Sequence, residues 1–210
     1  MSIKKGLKFY KTLNIKDQRN DAALTNVYQD WAKDYDKDND DLLGTVSQPL
    51  AVKLLSEFAK KRDLSIIDVG CGTGIVGKEL HKNGFSKFDG IDISREMLKT
   101  AKTRGYSNLL IGSLNEKLPI KESTYDIAFC VGVFTHDHVK SDRLDELVRV
   151  VKPGGLICFT INESIYETYG FNTKILKLQS DRKWKILALK KDKYMIKKNV
   201  AGFYCLAEVY

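Results

Sequence analysis

The sequence lacks the features that mark membrane-spanning, secreted and zinc-binding proteins. It has no uninterrupted apolar run of the ~18 residues needed to cross a bilayer. The first residues, Met1 to Gly6, are basic but contain no apolar signal core, so we do not expect secretion. No Cys-x-x-Cys pair occurs, which argues against a zinc site and a disulfide framework. We expect a cytoplasmic protein with small buried thiols at all four cysteines, Cys71, Cys130, Cys158 and Cys205.

Internal repeats, low-complexity stretches and RNA-binding motifs are also missing. The 210 residues, 43% of them apolar and 30% charged, suit one globular domain with a small appendage. We predict a flexible basic arm over residues 1–20 and a single domain over residues 21–210. The formal charge of +8 is spread along the chain and is dense only over residues 183–198. Such a charge can attract anions without specifying a partner, so we do not expect a nucleic-acid substrate.

The most informative stretch is residues 65–74, which read SIIDVGCGTG. A short β-branched run ends in Asp68 and Val69, three alternating glycines follow, and an apolar helical pattern begins at Ile75. This pattern predicts a buried strand, a tight turn and a helix N-terminus. Because glycine has no Cβ, a ligand can lie directly against the backbone of such a turn.

Asp68-x-Gly70-x-Gly72-x-Gly74 resembles motif I of the class I S-adenosylmethionine (SAM) dependent methyltransferases. Two further segments resemble the same family: residues 28–36, YQDWAKDYD, and residues 147–155, LVRVVKPGG. The resemblance extends from about Tyr28 to Tyr210. Its nearest subgroup is the methyltransferase-like proteins typified by the Williams–Beuren syndrome region methyltransferase.

That resemblance implies an α/β, Rossmann-like class I methyltransferase fold. The expected sheet has seven strands in the order 3-2-1-4-5-7-6, with strand 7 antiparallel, helices on both faces and an N-terminal helical lid within residues 21–60. Hydrophobic patterning predicts strands over 64–69, 87–91, 108–111, 126–131, 156–161, 184–189 and 203–209. Helices are predicted from Asp21 through the aromatic residues to Tyr35, after Pro49, and over 75–82, 94–101, 143–150 and 173–180. Pro153 predicts the end of a helix, the two following glycines predict a turn, and a basic connection is predicted between the last two strands. Tyr166, Tyr169 and Phe171 are candidates for the substrate side or for the core.

A dinucleotide-binding interpretation competes for the same glycines. Gly72-x-Gly74-x-x-Gly77 fits that fingerprint, and Asp92 lies about 20 residues downstream, where the ribose acid would be. Asp68 favours SAM because it precedes the first glycine, at a position where dehydrogenases normally have apolar residues. The order of the later segments also favours SAM.

The resemblance implies that SAM is the cofactor and that S-adenosylhomocysteine is its product. Asp92 would hold the ribose, Ile93, Ser113 and Leu114 would surround the adenine, and backbone at Gly70, Cys71 and Gly72 would hold the methionyl part. The aromatic rings of the lid would face the sulfur or the carboxylate. The full predicted set is Tyr28, Trp31, Tyr35, Asp68, Gly70, Cys71, Gly72, Asp92, Ile93, Met97, Ser113, Leu114 and Val131.

Two of the three histidines follow strand four, in the segment Gly132 to Val139. His136 is the candidate general base, because imidazole can accept a proton near neutral pH. The alternative is that His136 and His138 cap the following helix. A His-x-His pair without a third ligand does not predict a metal site.

The sequence therefore predicts a methyltransferase that acts on an O, N or S atom of a small-molecule acceptor. A protein that binds SAM without catalysis, as a partner or sensor, remains an alternative, as does a nicotinamide-dependent oxidoreductase. Acceptor contacts come from variable loops in this superfamily, so neither the acceptor nor the oligomeric state is predicted.

Overall fold

The structure, a computed structural model, describes residues 21–135 and 139–210. The arm predicted over residues 1–20 lies outside the described residues. Seven strands form one sheet in the order β3-β2-β1-β4-β5-β7-β6. The strands are β1 Ile66–Val69, β2 Phe88–Asp92, β3 Leu109–Ile111, β4 Tyr125–Phe134, β5 Val151–Asn162, β6 Trp184–Met195 and β7 Val200–Val209. Strand β7 is antiparallel to both neighbours and the other pairings are parallel, which confirms the predicted fold.

The helices cover both faces of this sheet. They are α1 Asp21–Trp31, α2 Tyr35–Asp38, α3 Ser47–Phe58, α4 Ile75–Lys82, α5 Arg95–Ala101, α6 Leu144–Val150 and α7 Phe171–Ser180. A π-helical turn, Asn39–Leu43, follows α2. Short 3-10 turns occur at Ser141–Arg143, Glu163–Ile165 and Ile196–Lys198.

The core has two layers because side chains alternate across a strand. Ile127 and Phe129 of β4 pack on the face covered by α3 and α4. Ala128 and Cys130 pack on the opposite face, which α6 and α7 cover. Strand β4 is thus buried on both faces, as its nearly continuous apolar sequence predicts. All four cysteines are free and buried.

The N-terminal helix is shorter than predicted. The helical pattern from Asp21 to Tyr35 is broken after Trp31, and a turn leads into α2. This turn allows the indole N–H of Trp31 to donate a 2.8 Å hydrogen bond to Asp38 Oδ2, seven residues along the chain. The acidic stretch after Tyr35, for which the sequence predicts no helix or strand, is helical through α2 and the π-helical turn.

Two strands extend beyond their predicted limits. Strand β5 begins at Val151, so the predicted turn at Pro153 to Gly155 is an irregularity within the strand. The pairing with β4 shifts between Tyr125↔Val151 and Ile127↔Leu156, and residues 152–155 bulge out. Strand β6 continues from the predicted Leu189 to Met195, which converts most of the predicted basic connection into strand.

Candidate active site

The glycine turn lies at the carboxyl end of β1, where ligands bind in open α/β sheets. Gly70 has a φ of +73°, and a Cβ there would be 2.3 Å from Val133 Cγ2, so only glycine allows the end of β4 to approach so closely. Gly72 has a φ of +54° and a Cβ there would meet nothing within 4 Å. The turn therefore exposes bare backbone to open space at Gly72.

Asp92 ends the neighbouring strand β2 and is partly exposed. Its Oδ2 accepts a 2.8 Å hydrogen bond from the backbone N–H of Gly72, and its Oδ1 accepts a 2.9 Å bond from the N–H of Ser94. Desolvation raises the pKa of Asp92, and the backbone hydrogen bonds oppose that rise. A carboxylate with four lone-pair sites still has acceptor capacity for hydroxyl groups after these bonds.

Asp68 lies beneath the turn and is fully buried. Tyr106 donates a 2.6 Å hydrogen bond to Asp68 Oδ2 and accepts a 3.0 Å bond from the N–H of Gly77. Asp68 Oδ1 has no hydrogen-bond partner among the described residues. Burial raises the pKa of Asp68 to about 7, with the hydrogen bond from Tyr106 lowering it and the charge of Asp92 raising it. Asp68 is therefore partly protonated near neutral pH.

A cleft of about 710 Å³, partly open to solvent, lies above these residues at the carboxyl edge of the sheet. We call it the cofactor cleft. Residues from α1, α2, the glycine turn and the ends of β2, β3 and β4 line it: Asp21, Leu24, Tyr28, Tyr35, Val69, Gly70, Gly72, Asp92, Ile93, Met97, Gly112, Ser113, Leu114, Asn115, Val131, Gly132, Val133 and Val139.

The lid brings three aromatic rings together on one side of the cleft. The ring centroids of Trp31 and Tyr35 are 4.9 Å apart, and Tyr28 is 6.2 Å from each of them. Tyr28 and Tyr35 line the cofactor cleft, whereas Trp31 is 4% exposed and contributes to a second cleft on the other side of the lid.

A group of three side chains connects the lid to the glycine turn. Thr73 donates a 2.5 Å hydrogen bond to Asp36 Oδ1, and Arg104 forms an ion pair with Asp36 Oδ2. Arg104 also donates a 3.3 Å bond to the hydroxyl of Thr73. These bonds join α2 directly to the turn after β1 and to the segment after α5, so they hold the lid over the cofactor cleft.

Ten of the predicted site residues line the cofactor cleft, and three do not. Asp68 and Cys71 are buried below the turn, and Trp31 lies behind the other two rings. His136 lies outside the described residues, so its prediction is not tested. Sequence reasoning did not identify several lining residues, among them Asp21, Asn115 and Gly132.

Each of these missed residues has a structural role at the cleft. Asn115 Nδ2 donates a 2.7 Å hydrogen bond to Asp21 Oδ1, which ties the start of α1 to the loop after β3. Gly132 has a φ of +82°, and a Cβ there would meet no atom within 4 Å. Its signal in the sequence is a glycine near the end of a predicted strand, at the ligand-binding edge.

Tyr166, Tyr169 and Phe171 were candidates for the substrate side or for the core, and the structure favours the core. Phe171 is fully buried in the hydrophobic core, and the two tyrosines are partly buried and pack against that core. Tyr166 stacks on Phe203 with ring centroids 3.7 Å apart. None of the three lines the cofactor cleft.

In the part of the chain that the structure describes, no group of three His, Cys, Asp or Glu side chains could hold a metal ion. Across residues 21–135 and 139–210, no helix combines the length and the apolar composition needed to span a membrane.

Residues 67–159 match a family model described as a methyltransferase domain. The chain is 39% identical over 143 residues to Methyltransferase-like protein 27 of Homo sapiens, covering 66% of this chain and 58% of that protein. It is 29% identical over 126 residues to a ubiquinone biosynthesis O-methyltransferase of Hydrogenovibrio crunogenus, covering 58% of this chain and 52% of that protein. The chain thus spans about half the length of the curated relatives it matches.

A solved methyltransferase in complex with the Haloferax volcanii Trm112 methyltransferase activator has a similar fold. Its TM-score is 0.65 at 16% identity, covering 87% of this chain and 97% of that chain. At this identity the likeness concerns the fold alone. The strand order and the glycine turn agree with the match of residues 67–159 to a methyltransferase domain and with the similarity to methyltransferases in sequence and in fold.

Proposed function

We propose that this protein transfers a methyl group from SAM to an O, N or S atom of a small-molecule acceptor. The observation that carries the proposal is the pairing of Asp92 with the exposed backbone of Gly72 in one cleft at the ends of β1 and β2. A carboxylate at this position can accept hydroxyl hydrogen bonds, and a turn without side chains leaves room for a ligand.

The lining residues suggest how the cofactor would be held. We propose that Asp92 accepts the ribose hydroxyls and that backbone from Gly70 to Gly72 binds the methionyl part. Ile93 and Leu114 supply apolar surface for the adenine ring and Ser113 supplies a hydroxyl; Met97 and Val131 complete the wall. Cys71 and Asp68 support the turn from below, without contact with the cleft.

The lid has a chemical role in this proposal. Bound SAM would supply an electrophilic methyl group for transfer to a lone pair of the acceptor, with S-adenosylhomocysteine as the leaving group. The rings of Tyr28 and Tyr35 exclude water from the cleft and can stabilise a cation by ~0.5–2 kcal/mol. Trp31 fixes their positions by packing against both. The chain mainly positions and desolvates the reactants.

His136 is our proposed base for an acceptor that must lose a proton. It lies outside the described residues, and the proposal depends on its place in the sequence, directly after β4 and Thr135. His136→Ala should lower turnover at pH values where an imidazole is neutral and can accept a proton. Turnover that is unchanged at every pH would exclude this role.

We further propose that residues 21–210 form a single domain, with residues 21–60 as its lid and first helices. The identity to Methyltransferase-like protein 27 supports a place among the methyltransferase-like proteins. The O-methyltransferase relative supports a small-molecule acceptor.

Calorimetric titration with SAM, S-adenosylhomocysteine and NAD tests the cofactor assignment. We expect micromolar binding of both adenosyl ligands and none of NAD. Asp92→Asn should weaken the adenosyl ligands about ten-fold or more, because it removes the charge that accepts the ribose hydroxyls. Asp63→Asn is the matched control, since Asp63 is exposed in the loop before β1 and forms no ion pair among the described residues.

Equal binding by Asp92→Asn and by the wild-type protein would refute the ribose contact. Tight binding of NAD would favour the oxidoreductase alternative. The absence of binding by either adenosyl ligand would overturn the proposed function as a whole.

A further inference from the structure

A second cleft, of about 900 Å³ and partly open to solvent, lies across the lid from the cofactor cleft. We call it the acceptor cleft. It shares Tyr28, Tyr35 and Gly132 with the cofactor cleft, so the two spaces have a common wall. Its remaining lining comes from the lid, the start of α3 and the β6–β7 hairpin: Trp31, Asn39, Leu43, Thr45, Ser47, Gln48, Thr135, Tyr194, Met195 and Lys198.

One buried polar side chain in this lining lacks a partner. The hydroxyl of Ser47 is fully buried and forms no hydrogen bond with any described residue. The side chain of Gln48, the next residue, is 7% exposed and lines the same cleft. Buried polar groups are normally satisfied, so an unsatisfied one on a cleft wall points to a polar ligand group.

These residues form the first turn of α3, a helix of 12 residues. The residue before it, Val46, provides no side-chain cap. The backbone N–H groups of Ser47 and Gln48 have no carbonyl four residues back within the helix, and their partial positive charge favours an anion. The helix N-terminus and the two side chains thus offer donors on the same wall.

Among the described residues that line the acceptor cleft, charge has one sign. Lys198 is the only charged side chain of that set, and it forms no ion pair with the described residues. It is exposed in the 3-10 turn Ile196–Lys198 between β6 and β7, at the rim of the cleft. The described lining contains no carboxylate that could neutralise an ammonium group, so its chemistry favours an acid over an amine.

Much of the remaining wall is aromatic or apolar. Trp31, Tyr194, Leu43 and Met195 contribute to it, beside the polar side chains of Asn39, Thr45 and Thr135. Aromatic faces of this kind pack well against a planar ring. The cleft therefore combines an apolar body with an anion-binding end.

We propose that the acceptor cleft binds a flat, mainly apolar organic acid as the methyl acceptor. Its carboxylate is bound by Ser47, Gln48 and Lys198, and its reacting atom lies at the wall shared with the cofactor cleft, beside Gly132. The inference rests on the proposed function, because it identifies the second substrate of the same reaction.

Binding to the full chain saturated with S-adenosylhomocysteine tests this proposal without measuring turnover. The probes are benzoate, cinnamate and indole-3-acetate, each compared with its primary amide, and benzylamine as a cationic probe. Ligand-observed NMR competition gives the relative affinities. We expect at least one acid to bind ten-fold or more tightly than its amide and than benzylamine.

Variants identify the binding end. Gln48→Ala and Lys198→Ala should each weaken the preferred acid five-fold or more and leave its amide unaffected. Lys193→Ala is the matched control, since Lys193 is exposed on β6 and does not line the cleft. Ser47→Ala should weaken the acid but should not lower the urea midpoint, because the hydroxyl it removes has no partner.

The outcomes separate this inference from the proposed function. Intact binding of S-adenosylhomocysteine with no acid bound, or with the amide or amine bound as tightly as the acid, overturns the inference alone. The inference also fails if the Gln48 and Lys198 variants bind the acid like the wild-type protein. Loss of S-adenosylhomocysteine binding in the wild-type protein would instead overturn the proposed function.

Discussion

Because the carboxyl of Asp68 is buried, we expect the free energy of unfolding to depend on pH in a specific way. Its pKa rises from 3.8, the ordinary value, to about 7 in the folded protein, chiefly because burial disfavours the charged form. The folded state therefore binds more protons than the unfolded state between these two values. Because stability falls with rising pH wherever the folded state binds more protons, Asp68 makes the protein less stable as pH rises from about 4 through about 7.

The magnitude follows from the two pKa values. Each pH unit within that window costs at most ~1.4 kcal/mol, so the contribution of Asp68 between pH 5 and pH 8 is a loss of ~3 kcal/mol in the free energy of unfolding. Asp68→Asn keeps the shape and an acceptor for Tyr106 but does not titrate. We expect its free energy of unfolding to fall by about 3 kcal/mol less than that of the wild-type protein over the same range.

Urea unfolding followed by far-UV circular dichroism at several pH values measures this difference. Asp92 also has a raised pKa and remains in both proteins, so the difference between them reports Asp68 together with its interaction with the charge of Asp92. Parallel pH profiles for the two proteins would refute the reasoning. They would mean that water reaches Asp68 or that an unrecognised cation neutralises it.

Three further predictions concern the turn and the lid. Arg104→Ala should speed the dissociation of S-adenosylhomocysteine about three- to ten-fold in stopped-flow experiments, because it removes the ion pair that holds α2 on the glycine turn. Lys102→Ala, at an exposed position, is the control. Equal dissociation rates for Arg104→Ala and the wild-type protein would contradict the role of the ion pair. Gly77→Ala should lower the free energy of unfolding, measured with urea, by ~1–3 kcal/mol, since the new Cβ would be 2.5 Å from Tyr106 Cε2. Helix propensity alone predicts a more stable variant, and that result would contradict the close packing. Trp31→Phe should increase amide hydrogen exchange in α1 and α2 about ten-fold. The variant removes the indole N–H that donates to Asp38 Oδ2, and Asp38 Oδ1 already lacks a partner among the described residues. Unchanged exchange would show that the bond does not stabilise the lid.

Most of the sheet could be predicted because its signals are local in the sequence. A β-branched run before Gly70 identifies β1, and an apolar run from Asp126 identifies β4. The errors occurred where polar residues continue a strand. Lys190, Lys191 and Lys193 suggested a connection, but β6 is the edge strand of the sheet, where solvent-facing lysines discourage pairing with another chain.

The error in the predicted start of β5 has a different cause. Pro153 and Gly154 are turn residues by propensity, and they predicted the end of a helix and a turn. In the structure α6 ends at Val150 and residues 152–155 form an irregularity within the strand, which leaves Val151 paired with Tyr125. Proline is tolerated there because a bulge does not require its missing N–H.

The two clefts differ in how far apart their residues lie in the sequence, and this difference explains what could be predicted at the candidate site. The cofactor cleft depends on the turn after β1 and the end of β2, and each of these is a short contiguous pattern. The acceptor cleft brings Ser47 and Gln48 together with Tyr194 and Lys198, about 150 residues further along the chain. No local pattern marks those residues, because Ser47 has an ordinary sequence context and Lys198 belongs to a lysine-rich strand end. They become neighbours through the isolated bridge between Thr45 and Met195 and through backbone hydrogen bonds from Val46 N–H to the Tyr194 carbonyl and from Ile196 N–H to the Gly44 carbonyl. The chemistry of the acceptor is therefore a property of the tertiary fold, whereas that of the cofactor can be read from the sequence.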